Sequence, residues 1–465
     1  MVVMKFGGTS VKDPDAIQRL ARIVAREAGR TGTPVVVVSA MSGITDQLLD
    51  AVSAVERGDA DRAAQKVTVM RDRHRAAAEA LLQGDARDEV VDTLERQWRE
   101  TASLLHAMAV LREVSPRSRD AVVSMGELAS SQLVAAALTA LGTPARYVDA
   151  RGVLVTSADH GQGQPDQAAT AARLHDRVLP LTRDGVVAVL GGFIGATHEG
   201  VTTTLGRGGS DYSASLFGAG LRSAEIQIWT DVDGMLTADP RVVQGARPLP
   251  SLSFAEASEL AYFGAKVLHP STIAPAVADG IPVRILNSHR PEVAGTTITA
   301  APPLPDAPLT GLACKRDITV IDIRSTLMLA AYGFMRRVFE VFERYRTSVD
   351  VITTSEVSVS ITIEDRKAIE GIVADLSSFA EVSVESEMAL LCAVGERLRL
   401  EAGLAARVLG ALDEFPLRMV SQAGARRNLT VVLPQAHLPA AMARVHDRFC
   451  LVPDEQAEPA TGALA

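Results

Sequence analysis

Aromatic residues make up only 4% of this 465-residue chain, and cysteine occurs just three times. Cys314, Cys392 and Cys450 lie far apart and share no metal-ligand spacing, which excludes a zinc module or a disulfide framework. An odd count without CxxC reads as a reduced, cytoplasmic protein. Long hydrophobic runs are also lacking. The apolar start, Met1-Val-Val-Met-Lys-Phe6, meets Gly7-Gly8 too soon to form a signal h-region, and the other apolar runs are strand-sized. A soluble chain without a membrane span is therefore expected. Positive charge is short as well: 47 Lys and Arg stand against 56 Asp and Glu, a net charge of −9, with no basic stripe. That argues against nucleic acid or an anionic membrane as the main partner. No GxxxxGK[ST] occurs, which excludes a P-loop.

What is present is globular composition in a length that suits two to four domains. Val2–Phe6, apolar apart from Lys5, and the continuously apolar Val35–Val38 are of strand length. Between them Asp13-Pro14 opens a helix whose Ile17, Leu20, Ile23 and Val24 share one face. Residues 44–55 give a second amphipathic helix. This alternation predicts an α/β domain, a mainly parallel sheet sandwiched by helices in three layers, over residues 1–300. Residues 61–113 carry a purely helical period, a helical hairpin turning at Gln83-Gly84-Asp85. Further strands are expected at 121–124, 145–149, 186–190, 226–230 and 282–286. Proline density at 301–309 marks a linker. Beyond it, a shift of 70 residues maps Gly333 onto Gly403, Val338 onto Val408, Phe342 onto Leu412 and Tyr345 onto Phe415. The repeat predicts two ferredoxin-like α+β units, 310–388 and 389–453, ahead of a disordered tail at 454–465.

The chemistry concentrates in glycine-rich loops after strands: Gly7-Gly8, Gly191-Gly192 and Gly206-Arg-Gly-Gly-Ser-Asp211. Glycine lets backbone N–H groups approach phosphate, and strand ends of a parallel sheet share one crevice. Lys5 lies inside the first strand, where a buried ammonium needs an anion: a phosphate, or a structural ion-pair partner. Asp231 and Asp233 follow a strand in Thr-Asp-Val-Asp-Gly, which suits either a tight turn or a nucleotide loop.

Five segments carry a resemblance: Lys5-Phe-Gly-Gly-Thr-Ser10, Ser124-Met-Gly-Glu-Leu128, Gly206-Arg-Gly-Gly-Ser-Asp211, Thr230-Asp-Val-Asp-Gly234 and Gly264-Ala-Lys-Val-Leu-His-Pro270. In this order they resemble the motifs of aspartate kinases in the amino-acid-kinase family, over nearly the whole chain. The resemblance implies phosphorylation of L-aspartate on its side-chain carboxylate by ATP, the first step towards the aspartate-family amino acids. Mg²⁺ would arrive on the ATP, with no side-chain metal motif of its own. It implies catalytic roles for Lys5, on the β- and γ-phosphates, and for Asp211, organising Mg²⁺ and Lys5. Glu127 would take the substrate ammonium and Arg207 its α-carboxylate, with Ser39, Thr45 and Ser210 also on the substrate. Gly7, Gly8, Thr230, Asp231, Leu236, Arg241, Lys266 and Val267 would bind ATP. Leu236 departs from the family, in which an aromatic residue is common there, and Asp46 stands where Asn is frequent. The rival readings are a glutamate-type amino-acid kinase and a non-catalytic amino-acid sensor.

The repeat is similar to the paired ACT domains of lysine-sensitive members, although Ala330 and Tyr332 depart from their usual choices. By that likeness Met328, Gly333, Phe334, Ser348, Val349 and Asp350 would hold an effector, L-lysine ahead of threonine, with Asp350 on its amino group. Thr354, Ser355 and Glu356 would line the same pocket or a neighbouring interface. A homodimer through the ACT domains, or a tetramer, is implied.

Overall fold

The computed structural model describes residues 1–264, 270–325, 328, 332–422, 424 and 426–450. Lys266, Val267, Ala330 and the tail at 454–465 lie outside the described residues. Two compact units emerge, each discontinuous in sequence. The first comprises Met1–Met235, Pro250–Phe254 and Val267–Pro302; the second comprises Leu236–Leu249, Ala255–Lys266 and Pro303–Ala465.

In the first unit, β1 (Val2–Phe6) and β2 (Val35–Val38) are wholly buried. Together with β3 (Ala145–Tyr147), β4 (Val187–Gly191), β7 (Glu225–Thr230), β8 (Ser251–Ser253), β9 (Val283–Asn287) and β10 (Thr296–Thr299), they form one sheet in the order β3-β4-β2-β1-β7-β9-β10-β8. From β3 to β9 all neighbours are parallel. A small antiparallel hairpin, β5 (Ile194–Ala196) and β6 (Thr202–Thr204), stands beside it. The parallel register brings the carboxyl ends of β1, β2, β4 and β7 to one edge. There β1 is flanked by β2 on one side and by β7, which arrives much later in the chain, on the other, and a crevice opens at these strand ends.

Helices cover the sheet as their sequences direct. Asp13 accepts from Ala16 N at 2.8 Å and caps Pro14–Thr31, with proline where its missing N–H costs nothing. Ala60–Leu81 and Gly84–Leu111 form the expected hairpin, whose inward residues include Met70, Leu94 and the fully buried Trp98. The strand expected at 121–124 is instead the end of the helix Pro116–Val123, which runs through Ser124 into Met125–Ala140. Ser115, accepting from Ser118 N, and Pro116 start it. A short apolar run such as Ala121-Val-Val suits a buried helix as well as a strand. The stretch Pro116–Ala140 has the length and apolarity of a membrane span, but 89% of that apolar window is buried within the structure.

The second unit is built on a six-stranded antiparallel sheet in the order β12-β13-β11-β14-β16-β15. Its strands are β11 (Gly311–Arg324), β12 (Ile352–Thr354), β13 (Ser358–Ile363), β14 (Glu381–Val394), β15 (Met419–Ser421) and β16 (Asn428–Pro434). The repeat reappears physically. Gly333 and Gly403 both cap a helix in the left-handed region, at φ 84° and 80°, ahead of Phe334–Arg344 and Leu404–Gly410. Val338 and Val408, then Phe342 and Leu412, are buried on equivalent faces.

The two copies are interlaced. The C-terminal part of β11, from Ile318, pairs with β13 and with the N-terminal part of β14, which completes one ferredoxin-like sheet. Residues 311–315 pair with the C-terminal part of β14, 390–394, and so supply the last strand of the other copy. A boundary at 388/389 therefore falls inside β14. Residues 301–310 contain no helix or strand.

Candidate active site

At the carboxyl edge of the first unit's sheet lies a cleft of about 770 Å³. Eleven of the residues singled out in the sequence line it: Lys5, Gly7, Gly8, Ser39, Thr45, Glu127, Arg207, Ser210, Asp211, Thr230 and Asp231. They come from the ends of β1, β2 and β7, the starts of the helices Ile44–Glu56 and Met125–Ala140, and the loop and first turn of the helix Gly209–Gly220.

Lys5 is 8% exposed, and its Nζ lies 2.6 Å from Asp211 Oδ1. Asp211 occupies the first turn of Gly209–Gly220, whose amino end carries partial positive charge. Gly208 caps that helix at φ 72°, a conformation that side chains with a Cβ rarely adopt. Exposed Arg207, just before it, makes no ion pair among the described residues. The result is an ammonium, a guanidinium and a helix amino end around one carboxylate, a setting that attracts anions.

Glu127 lies at the opposite electrostatic extreme. It is 3% exposed; Oε1 accepts from Ala40 N at 3.1 Å, while Oε2 is buried without a hydrogen-bond partner. Burial pushes its carboxyl up to about 8. Such a group is suited to a cationic ligand, which would supply the missing partner and restore its charge.

Several details refine the sequence expectation. Gly7 N donates to Trp229 O at 3.1 Å, continuing the β1–β7 ladder, so its N–H is not free for phosphate, and Gly8 begins the short 3-10 turn that follows. Gly191-Gly192 serves close packing: a Cβ on Gly192 would lie 2.7 Å from Ser210 Cα, and one on Gly191 would lie 3.0 Å from Glu127 Cβ. Arg241, in the second unit, is spent on Asp239 through Nε and Nη2 at 3.0 and 2.7 Å. Leu236, also in that unit, is half-buried and bridges to Pro248.

Sequence reasoning missed Asp120. This carboxylate is 2% exposed and takes hydrogen bonds from His160 Nδ1, Gly161 N, Thr204 N and Thr204 Oγ1. It ties the loop at 160–161 and β6 to the helix that leads towards Glu127. Reading 121–124 as a strand concealed it. Phe193, which lines the cleft at φ 64°, carried no sequence signal.

In the second unit, Val349 and Met328 pack on the core formed by Ile321, Phe334, Val338 and Ile361. Asp350 N donates to Thr362 O at 2.9 Å, and its carboxylate is paired with Lys315. Ser348 and Glu356 are exposed; Ser355 Oγ lies 2.7 Å from Ser358 Oγ in the turn between β12, which ends at Thr354, and β13.

Comparison with known proteins identifies the family. The amino acid kinase family model matches residues 1–287, and an ACT domain model matches 391–449. Lysine-sensitive aspartokinase 3 of Escherichia coli K12 is 37% identical, covering 97% of this chain and 99% of its own length. The structure of E. coli aspartokinase III in complex with lysine and aspartate, in the T-state, superposes with a TM-score of 0.84 at 36% identity, over 97% of this chain and 99% of that one. The R-state structure of that enzyme, with aspartate and ADP, gives a TM-score of 0.81 at 36% identity over 96% and 99% of the two chains. This chain belongs to the aspartokinases, within the amino acid kinase family.

Proposed function

We propose that this chain transfers the γ-phosphoryl group of ATP to the side-chain carboxylate of L-aspartate, giving 4-phospho-L-aspartate and ADP, and that L-lysine restrains it through the second unit. The observation that carries the reading is the convergence of Lys5, Arg207 and an unpartnered Glu127 carboxylate oxygen on one cleft. Two cations suit a polyphosphate and a carboxylate; a buried carboxylate suits an ammonium. A substrate with one ammonium and two carboxylates matches that set.

The attacking carboxylate is already ionised near neutral pH, so no strong base is required. One of its oxygens forms a bond to the γ-phosphorus while the bond to the β–γ bridging oxygen breaks, and ADP leaves with that electron pair. The protein's work is alignment and charge neutralisation. Arg207 grips the α-carboxylate with a planar fork, Glu127 the ammonium, and Ser39, Thr45 and Ser210 orient the oxygens. Lys5 stabilises charge on the transferred group. Asp211 holds Lys5 in place beside the Mg²⁺ that accompanies ATP as part of the nucleotide substrate. Thr230 and Asp231 lie on the nucleotide side, and Gly8 offers the glycine-loop N–H.

In the second unit Asp350 receives the effector's amino group, beside Ser348 and Val349. The reading carries with it a cytoplasmic location and a homodimer through the ACT domains, which light scattering on the purified chain tests. Hydroxamate trapping of the acyl phosphate tests the chemistry. Signal with ATP and aspartate, absent with glutamate or N-acetylglutamate and reduced by L-lysine, supports the reading. Signal with glutamate alone favours the rival kinase, and none with any amino acid favours a sensor.

A further inference from the structure

In the second unit a lysine already occupies a place built for an ammonium. Lys315, on β11 beside the register shift that separates its two parts, extends Nζ to 2.7 Å from Asp350 Oδ1. The same Nζ pairs with Glu364 and stands 4.8 Å from the centre of the Tyr262 ring. Two carboxylates and an aromatic face are the usual chemistry for holding a primary ammonium. The Asp350 side chain is only 9% exposed, and its Oδ2 is buried without a hydrogen-bond partner. Its backbone is fixed as well: Asp350 N donates to Thr362 O, and Val351 N donates to Thr362 Oγ1. Burial pushes the Asp350 carboxyl up, against the pull of Lys315. Burial alone would push Lys315 down, yet Asp350 and Glu364 hold it above its ordinary value. Lys315 offsets part of the rise at Asp350, and the two carboxylates favour the charged form of Lys315.

We propose that Lys315 is a tethered occupant of the effector's ammonium site, whose cage is completed by Glu364 and Tyr262, so that a free primary alkylammonium must displace it to bind. This rests on the reading of Asp350 as the effector's amino-group partner. Lys315 then sets the sensitivity of the enzyme. Effector affinity is lowered by the fraction of molecules whose cage is already filled, and removing the tethered ammonium removes that handicap.

The test is calorimetric titration of the full-length protein with L-lysine, alongside inhibition curves, for wild type, Lys315→Met, Lys315→Arg and Asp350→Asn. Lys315→Met is expected to bind lysine at least about tenfold more tightly, the scale of one charge-assisted hydrogen bond no longer competed for, with half-inhibition shifted down equally. Lys315→Arg keeps a tethered cation and stays near wild type. Lys315→Gln serves if the methionine variant is unstable. Affinity that is unchanged or weaker in the neutral variants overturns the proposal, also where wild type itself shows no lysine binding. Asp350→Asn tells the two failures apart. If it abolishes the lysine response while Lys315→Met changes nothing, the tethered occupant falls and the effector site stands. If it responds like wild type, the Asp350 reading itself falls, and the proposal with it.

Discussion

Each unit holds a strand lysine against an aspartate at nearly the same distance. Lys5–Asp211 measures 2.6 Å, with side chains 10% and 15% exposed; Lys315–Asp350 measures 2.7 Å, with 15% and 9%. What surrounds the pairs differs. Around Lys5 stand Arg207, a glycine loop and a helix amino end, so the one carboxylate is outweighed and an anion is drawn in. Around Lys315 stand a second carboxylate, Glu364, and the face of Tyr262, so the balance favours cations. A buried lysine in a strand is therefore not by itself a phosphate ligand. The charge left over once its partners are counted decides what the site takes.

The sharpest way to break this comparison is to remove each ammonium in turn. Lys5→Ala is expected to lower kcat by at least ~10²-fold, because it removes charge stabilisation formed mainly in the transition state. Lys315→Ala should leave kcat without effector within about twofold, since that ammonium faces a site for cations. Initial-rate assays at saturating ATP and aspartate measure both, and comparable losses would mean the pairs do not differ in kind.

A smaller effect comes from Glu127, the acidic pole of the cleft. Burial holds its carboxyl up to about 8 without ligand, whereas the substrate ammonium needs the carboxylate. Below that value, aspartate binding must expel a proton, so KM for aspartate should fall as pH rises, by up to about tenfold per unit, and level off above about 8. Glu127→Gln, which cannot titrate, should show a raised and flat KM. The sign for folding is opposite. The folded state keeps a proton that the unfolded chain loses near 4.5, so Glu127 costs stability progressively between about 4.5 and 8. A KM profile identical in wild type and variant would remove Glu127 from the substrate.

The cleft was legible in the sequence because its parts sit where local rules put them, at the ends of apolar runs and beside glycines. β1, β2 and the helix capped by Asp13 follow from periodicity and capping alone. The helix at 121–124 was misread because three apolar residues carry no period, while the stronger signal, Ser115-Pro116, lay upstream. The interlacing of the second unit was hidden for a different reason. Residues 311–315 read as an ordinary strand, and only long-range pairing with 390–394 assigns them to the other copy. Asp120 and Lys315 were invisible in the same way, since their partners His160, Thr204, Asp350 and Glu364 are all distant in sequence.

A separate expected effect concerns stability. Asp211→Asn leaves Lys5 deeply placed without a carboxylate, which should cost about 3–5 kcal/mol, the scale for breaking a buried pair from one side. Asp350→Asn leaves Lys315 with Glu364, whose side chain is 53% exposed, so the loss should stay below about 1 kcal/mol. Two units need not unfold together, so one melting temperature would mix them. Hydrogen exchange of peptides spanning β1 and β11 reads each pair in its own sheet. A non-hydrolysable ATP analogue with Mg²⁺ should restore much of the protection lost at β1 in Asp211→Asn, because polyphosphate replaces the missing negative charge beside Lys5. Protection at β11 in Asp350→Asn should not respond directly, since no anion belongs there. If the analogue leaves β1 unprotected, Lys5 does not face the nucleotide, and the contrast between the two lysines loses its chemical basis.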